Sequence, residues 1–161
     1  MYKKIICPID GSPTSDCGMV EAIQLAKDQN ARLLFLHVTD NYFPMLDVTG
    51  DLNVVYISEI LRNNGKKVIK KAESNALAAG VHAETKIIEG RGGRIAKFVL
   101  SQVEEWCADL IVMGTHGLRG IERLVIGSDA ETVVRSTSVP VLLVRNKPQA
   151  RIKPQGKHLF P

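Results

Sequence analysis

The residues in this chain best suited to chemistry on a ligand fall between positions 114 and 128: Gly114-Thr115-His116-Gly117, then nine residues, then Gly127-Ser128. Gly114 and Gly117 lack Cβ atoms, so the backbone can turn sharply and bring its N–H groups close to a bound group. Gly127-Ser128 opens a helical pattern whose unpaired N–H groups and positive dipole end suit a phosphate, with the Ser128 hydroxyl as one more donor. Inside the span, Arg119 and Arg123 either neutralise phosphate charge or face solvent. His116 is either a proton carrier or a loop-packing side chain, because no acid is placed by sequence to orient it. His37 and His82 lie in or beside strand-like runs and read as structural.

Two familiar phosphate loops do not fit. No GxxxxGK[ST] occurs, and neither Gly65-Lys66 nor Gly156-Lys157 has the upstream glycine or strand that a Walker A loop needs. Gly90-Arg91-Gly92-Gly93 follows a strand and precedes a helix, but Ile95 occupies the third glycine position of a dinucleotide fingerprint, which leaves a helix-entry turn.

Something must position the 114–128 segment, and the apolar pattern says what. Five short runs recur, Ile5 to Ile9, Leu33 to Val38, Thr85 to Ile88, Leu110 to Met113 and Val141 to Val144. Near-continuous runs of this kind predict strands covered on both faces. Between them, Ser12 is a candidate N-cap with Pro13 at the first helical position and Met19, Ile23 and Ala26 on one face. Residues 54–79 carry Ile57, Leu61, Val68, Ala72 and Ala76 on one side, with Asn63-Asn64-Gly65 as a possible break. Ile95, Val99, Val103 and Trp106 form the next stripe, and Ala130, Val133 and Val134 a shorter one. The order β-α-β-α-β-α-β-α-β with right-handed crossovers predicts an α/β doubly wound five-stranded parallel sheet, and such sheets bind ligands beyond the carboxyl ends of their strands. The stretch from Thr39 to Asn53, with Pro44, Gly50 and three acids, reads as a long loop over that edge, either a lid or a surface excursion.

Composition narrows the classes. A chain of 161 residues with 45% hydrophobic content fits one domain. It has no run of about 18 apolar residues, and its N-terminus enters a strand-like segment directly, so the expectation is a soluble, cytoplasmic protein with no membrane partner. The net charge of +4 comes from Arg145, Lys147, Arg151, Lys153 and Lys157, which leave a slightly acidic body and argue against nucleic acid as a partner. Residues 146–161 read as a basic, mobile tail. Cys7, Cys17 and Cys107 have no paired spacing, so neither a disulfide framework nor a zinc cluster is suggested; Cys7 and Cys107 read as core fillers.

Glycine, two residues, glycine, nine residues, glycine and serine is the pattern of ATP-binding universal stress proteins, and residues 114–128 match it in full. Pro8-Ile9-Asp10-Gly11-Ser12, the strand from Asp109 to Met113 and Val139-Pro140-Val141-Leu142-Leu143-Val144 extend the likeness over about residues 2–145. The chain therefore resembles the small single-domain members of that family. The resemblance implies an adenine nucleotide alpha hydrolase-like sheet of order 3-2-1-4-5 within a domain of residues 1–145. It also implies adenine near Pro8, Ile9, Asp10 and Val38, with Asp10 as a polar contact to the base. Ribose and phosphates would lie on Met113, Gly114, Gly117, Gly127 and Ser128, with Arg119 as a phosphate contact and Mg²⁺ accompanying ATP. AMP is an equally acceptable ligand for a helix N-terminus, which does not count phosphates.

One position departs from the family, which usually has a small apolar residue after the serine. Asp129 stands there, and its charge either opposes a bound phosphate or serves the helix dipole. No dedicated catalytic base is evident, so the implied role is a regulatory one with hydrolysis slow or absent. The alternative is a dimeric interaction protein that binds no nucleotide. The resemblance further implies a homodimer through strand 141–144, and an edge strand this apolar does need cover.

Overall fold

Alternate residues of the first strand are buried on opposite sides, and that alternation builds the molecule. The computed structural model describes residues 1–40, 51–90, 94–117 and 126–146. Its elements are β1 (Lys4–Pro8), α1 (Pro13–Gln29), β2 (Arg32–Asp40), α2 (Asp51–Ala78), β3 (Ala83–Gly90), α3 (Ile95–Trp106), β4 (Leu110–Gly114), α4 (Ser128–Ser136) and β5 (Val141–Val144). The five strands form one parallel sheet of order β3-β2-β1-β4-β5, as expected.

On one face Ile5, Cys7, Leu33, Phe35 and Val112 pack against Met19, Ala22 and Ala26 of α1 and Ala72 and Ala76 of α2. On the other Ile6, Leu34, Leu36, Ile111 and Met113 meet Ala96, Val99 and Val103 of α3 and Ala130 and Val133 of α4. Each fully buried aliphatic or aromatic chain contributes about 1.5–3 kcal/mol of transfer free energy. Phe35 is the largest fully buried side chain among the described residues, and its truncation to alanine should cost about 3–5 kcal/mol.

The start of α1 follows its sequence signals. Ser12 Oγ accepts a hydrogen bond from Ser15 N at 3.2 Å, Pro13 opens the helix and Asp16 lies in its first turn. The helix ends at Asn30 in the left-handed region, φ 51°, a conformation that asparagine tolerates better than most residues.

The possible break in the second helix does not occur, and two expectations are corrected. The second helix begins at Asp51 and runs unbroken through Asn63-Asn64-Gly65 to Ala78. Gly65 is not a breaker there but a spacer, since a Cβ at that position would lie 2.7 Å from the His37 ring. Val134 is 44% exposed, so only Ala130 and Val133 of the short α4 stripe reach the core. Cys107 is exposed and forms the left-handed end of α3 at φ 52°, whereas Cys7 is a core residue whose thiol pKa burial pushes far up. The middle of the proposed lid (41–50), Arg91-Gly92-Gly93 and the tail beyond Asn146 lie outside the described residues.

Candidate functional site

The sheet reverses its winding between β1 and β4: successive strands step from β1 to β2 to β3 and then return to the other side of β1. A crevice opens at such a switch point, beyond the carboxyl ends of the two strands, because the connecting segments leave in opposite directions.

At the end of β1 the chain is tied down on both sides. Ile9 N donates to Leu36 O at 2.8 Å, and Ile9 O accepts from His37 Nδ1 at 2.8 Å. A carbonyl only accepts, so this contact places the proton of His37 on Nδ1. Asp10 N donates to Ser15 Oγ at 3.1 Å, and Asp10 Oδ1 accepts from Ser12 N at 2.9 Å. The carboxylate is therefore oriented by the turn that starts α1.

At the end of β4, Gly114 is required by packing: a Cβ there would lie 2.8 Å from Thr14 O, where α1 crosses the strand. Thr115 N donates to Val144 O at 3.0 Å, and Gly127 N donates to Thr115 O at 2.8 Å. That second bond returns the chain to the strand end after the excursion, so α4 begins beside the point where β4 stops. Gly117 passes so near β1 that a Cβ would sit 2.6 Å from Asp10 Oδ2. The glycines thus have two different reasons: Gly114 admits a helix, and Gly117 admits a carboxylate.

These segments enclose a cavity of about 430 Å³, within the usual range of small-molecule sites. The end of β1 supplies Pro8, Ile9 and Asp10, and β2 supplies Val38. Met113, Gly114 and Gly117 come from β4 and its loop, and Gly127, Ser128 and Asp129 from the start of α4. Every described residue singled out from the sequence reaches this one cavity. Arg119 and Arg123 fall outside the described residues.

The sequence reading missed one wall. Leu61, Asn64 and Val68 of α2, spaced for one helical face, line the cavity together with His37 and Thr39. The signal is present in the one-sided stripe containing Leu61 and Val68, which in sequence does not distinguish a core face from a cavity wall. His116 also lines the cavity. Its Nδ1 is 2.9 Å from Thr115 Oγ1, and its Nε2 is buried without a hydrogen-bond partner among the described residues. Asp129 does not point idly to solvent: its Oδ1 accepts from Ala96 N at 3.2 Å. It thereby caps α3, whose own N-cap residue, Arg94, makes no side-chain capping bond.

The profile of the universal stress protein family matches residues 1–145. The chain belongs to the universal stress protein family. It is 37% identical over 145 residues to a universal stress protein of Methanocaldococcus jannaschii, covering 90% of this chain and 83% of that one. Among solved structures, a universal stress protein family member from Burkholderia pseudomallei is 29% identical with a TM-score of 0.72, covering 89% of this chain and 96% of that one. The crystal structure of a universal stress protein in complex with cAMP is 25% identical with a TM-score of 0.63, covering 89% and 97%. In this universal stress protein chain, the region matched by the profile contains the whole sheet and every described wall of the cavity.

Proposed function

We propose that this chain is an adenine-nucleotide-binding regulatory protein of the stress response, acting in the cytoplasm, with residues 1–145 as its binding domain and hydrolysis slow or absent. The observation that carries the reading is the convergence of the β1 end, the glycine loop and the start of α4 on one cavity at the switch point of the sheet. The relative solved with cAMP, an adenine nucleotide, supports the ligand class. Adenine lies against Pro8, Ile9 and Val38 with Asp10 as its polar contact. Ribose and phosphates lie along Met113, Gly114, Gly117, Gly127 and Ser128, with ATP or AMP as the nucleotide and Arg119 contributing from the loop.

The residues fit a nucleotide better than a protein-held metal. Gly117 leaves a cradle that a Cβ would fill, and no group of three or more metal-ligating side chains occurs among the described residues. The described cavity walls carry only the carboxylates of Asp10 and Asp129, and each already accepts a backbone N–H. Mg²⁺ prefers one or two carboxylates plus phosphate oxygens and water, so it would enter with a triphosphate and be held largely by it. Bound there, it would supply charge neutralisation. Among the described cavity residues, His116 lies on the glycine loop itself, and its hydrogen-bond partner is the Thr115 hydroxyl and not a carboxylate that would orient it as a base. Slow turnover follows.

A second reading, a dimeric interaction protein without nucleotide, has one observation in its favour. The outer strand β5 bears Leu142 at 36% exposure, so among the described residues this apolar edge strand is only partly covered. The two readings separate on one experiment, extraction of the purified protein by denaturation with chromatography of the released nucleotides, followed by calorimetric titration of the stripped protein. Co-purifying ATP or AMP, or micromolar binding of either, supports the nucleotide reading. A clean extract with no heat of binding overturns it and leaves the dimer.

A further inference from the structure

Among the described residues, the cavity wall carries an unusual charge for a phosphate-binding site. Its described lining includes two carboxylates, Asp10 and Asp129, and no lysine or arginine. Asp129 also sits where an incoming anion would gain most. It occupies the first turn of α4, and its Oδ1 accepts the α3 backbone N–H of Ala96 at 3.2 Å. The positive ends of two helices are thus already served by one internal anion. Among the described residues no cation forms an ion pair with it.

We infer that Asp129 is a specificity-determining residue that makes the site select adenine ligands of low phosphate charge, adenosine or a monophosphate, over the triphosphate. This rests on the nucleotide reading of the cavity and deepens it. Each added phosphate brings negative charge toward a half-buried carboxylate that moves away only by giving up its bond to Ala96 N. Repulsion between like charges in a partly desolvated cavity is less screened than at the surface. The penalty therefore grows from adenosine to AMP to ATP, while contacts to the base and ribose stay the same.

The discriminating variant is Asp129→Asn, which removes the charge and keeps a side-chain oxygen for Ala96 N. Asp129→Ala is the companion that removes both. Calorimetric titrations of the native chain and both variants with adenosine, AMP and ATP give the result. The native chain should bind AMP at least as tightly as ATP. Asn should tighten ATP by about tenfold, AMP by about threefold and adenosine by less than twofold, tenfold being about 1.4 kcal/mol. Ala should show the same order of gains if it remains folded by circular dichroism. If adenosine binds all three proteins alike and ATP gains nothing in the Asn variant, Asp129 does not grade phosphate charge and the inference falls while the nucleotide site stands. If none of the three ligands binds either the native chain or the Asn variant, the nucleotide reading falls and the inference with it.

Discussion

Gly117 and Asp10 approach so closely that a Cβ on the glycine would lie 2.6 Å from Asp10 Oδ2. The residues are far apart in sequence, and their contact closes the end of β4 against the end of β1 across the cavity. Asp10 cannot swing away cheaply, because its other oxygen accepts from Ser12 N at 2.9 Å and so helps define the turn before α1. Gly117→Ala should therefore displace the loop, leave the fold intact and cost about 1–3 kcal/mol of stability, the usual range for forcing a methyl into occupied space. Urea unfolding measures it, and an unchanged midpoint would mean that the loop yields without strain.

Gly65 is a sharper case because two effects oppose each other. Alanine in the middle of α2 gains up to about 1 kcal/mol of helix propensity. Its Cβ, however, would meet the His37 ring at 2.7 Å, and that ring is held by its 2.8 Å bond to Ile9 O. Overpacking against a buried, anchored ring costs about 1–3 kcal/mol, so Gly65→Ala should destabilise the protein despite the better propensity. A raised urea midpoint would show that the ring moves and that propensity wins.

The three cysteines should differ in reactivity. Cys107 is exposed, Cys17 is half-buried and Cys7 is fully buried, with burial pushing its pKa well above the ordinary thiol range. A thiol reagent at pH 8 should modify Cys107 fast, Cys17 more slowly and Cys7 only after unfolding, since the thiolate is the reactive species. The sign of the pH effect follows from the raised folded pKa. Its contribution to stability is full below the unfolded value of about 8.5 and is lost as pH rises beyond it, because the unfolded thiol ionises and the folded one does not. Cys7→Ala, though less stable, should lose less of its stability between pH 8 and 10 than the native chain. Parallel losses would contradict this.

The central strands β1, β2 and β4 were legible because each is an apolar run buried on both faces, and the α1 start because Ser12 and Pro13 are local signals. The spacing of Gly114, Gly117 and Gly127 pointed to the loop for the same reason: it is written within a short stretch of chain. What stayed hidden depends on contacts between distant segments. Nothing near Asp129 in sequence indicates that it serves Ala96 N, which belongs to the preceding helix. Asn63-Asn64-Gly65 left a break in the helix open because propensity is local, while the reason for Gly65 lies in His37 of a neighbouring strand. His37 reads from sequence as a structural strand residue; it does hold Ile9, but it also lines the cavity. Cys107 reads from sequence as a core filler beside Trp106, but the helix ends between them and leaves it exposed.

The exposed edge at β5 gives a prediction for assembly. If strand 141–144 pairs with a second copy, sedimentation should find a dimer, and Leu142→Lys should convert it to a monomer by placing a charge in the contact. A native monomer at micromolar concentration would remove the proposed homodimer.

The central claim is that an adenine nucleotide occupies the cavity between the ends of β1 and β4. Titration of the isotope-labelled protein with AMP, followed by backbone amide NMR, reads that location residue by residue. The account predicts saturable shifts at Asp10, Gly117, Gly127 and Ser128, with little change at Lys4 or Cys107 on the opposite end of the sheet. Absence of shifts at saturating AMP, or shifts clustered away from these four residues, would contradict it.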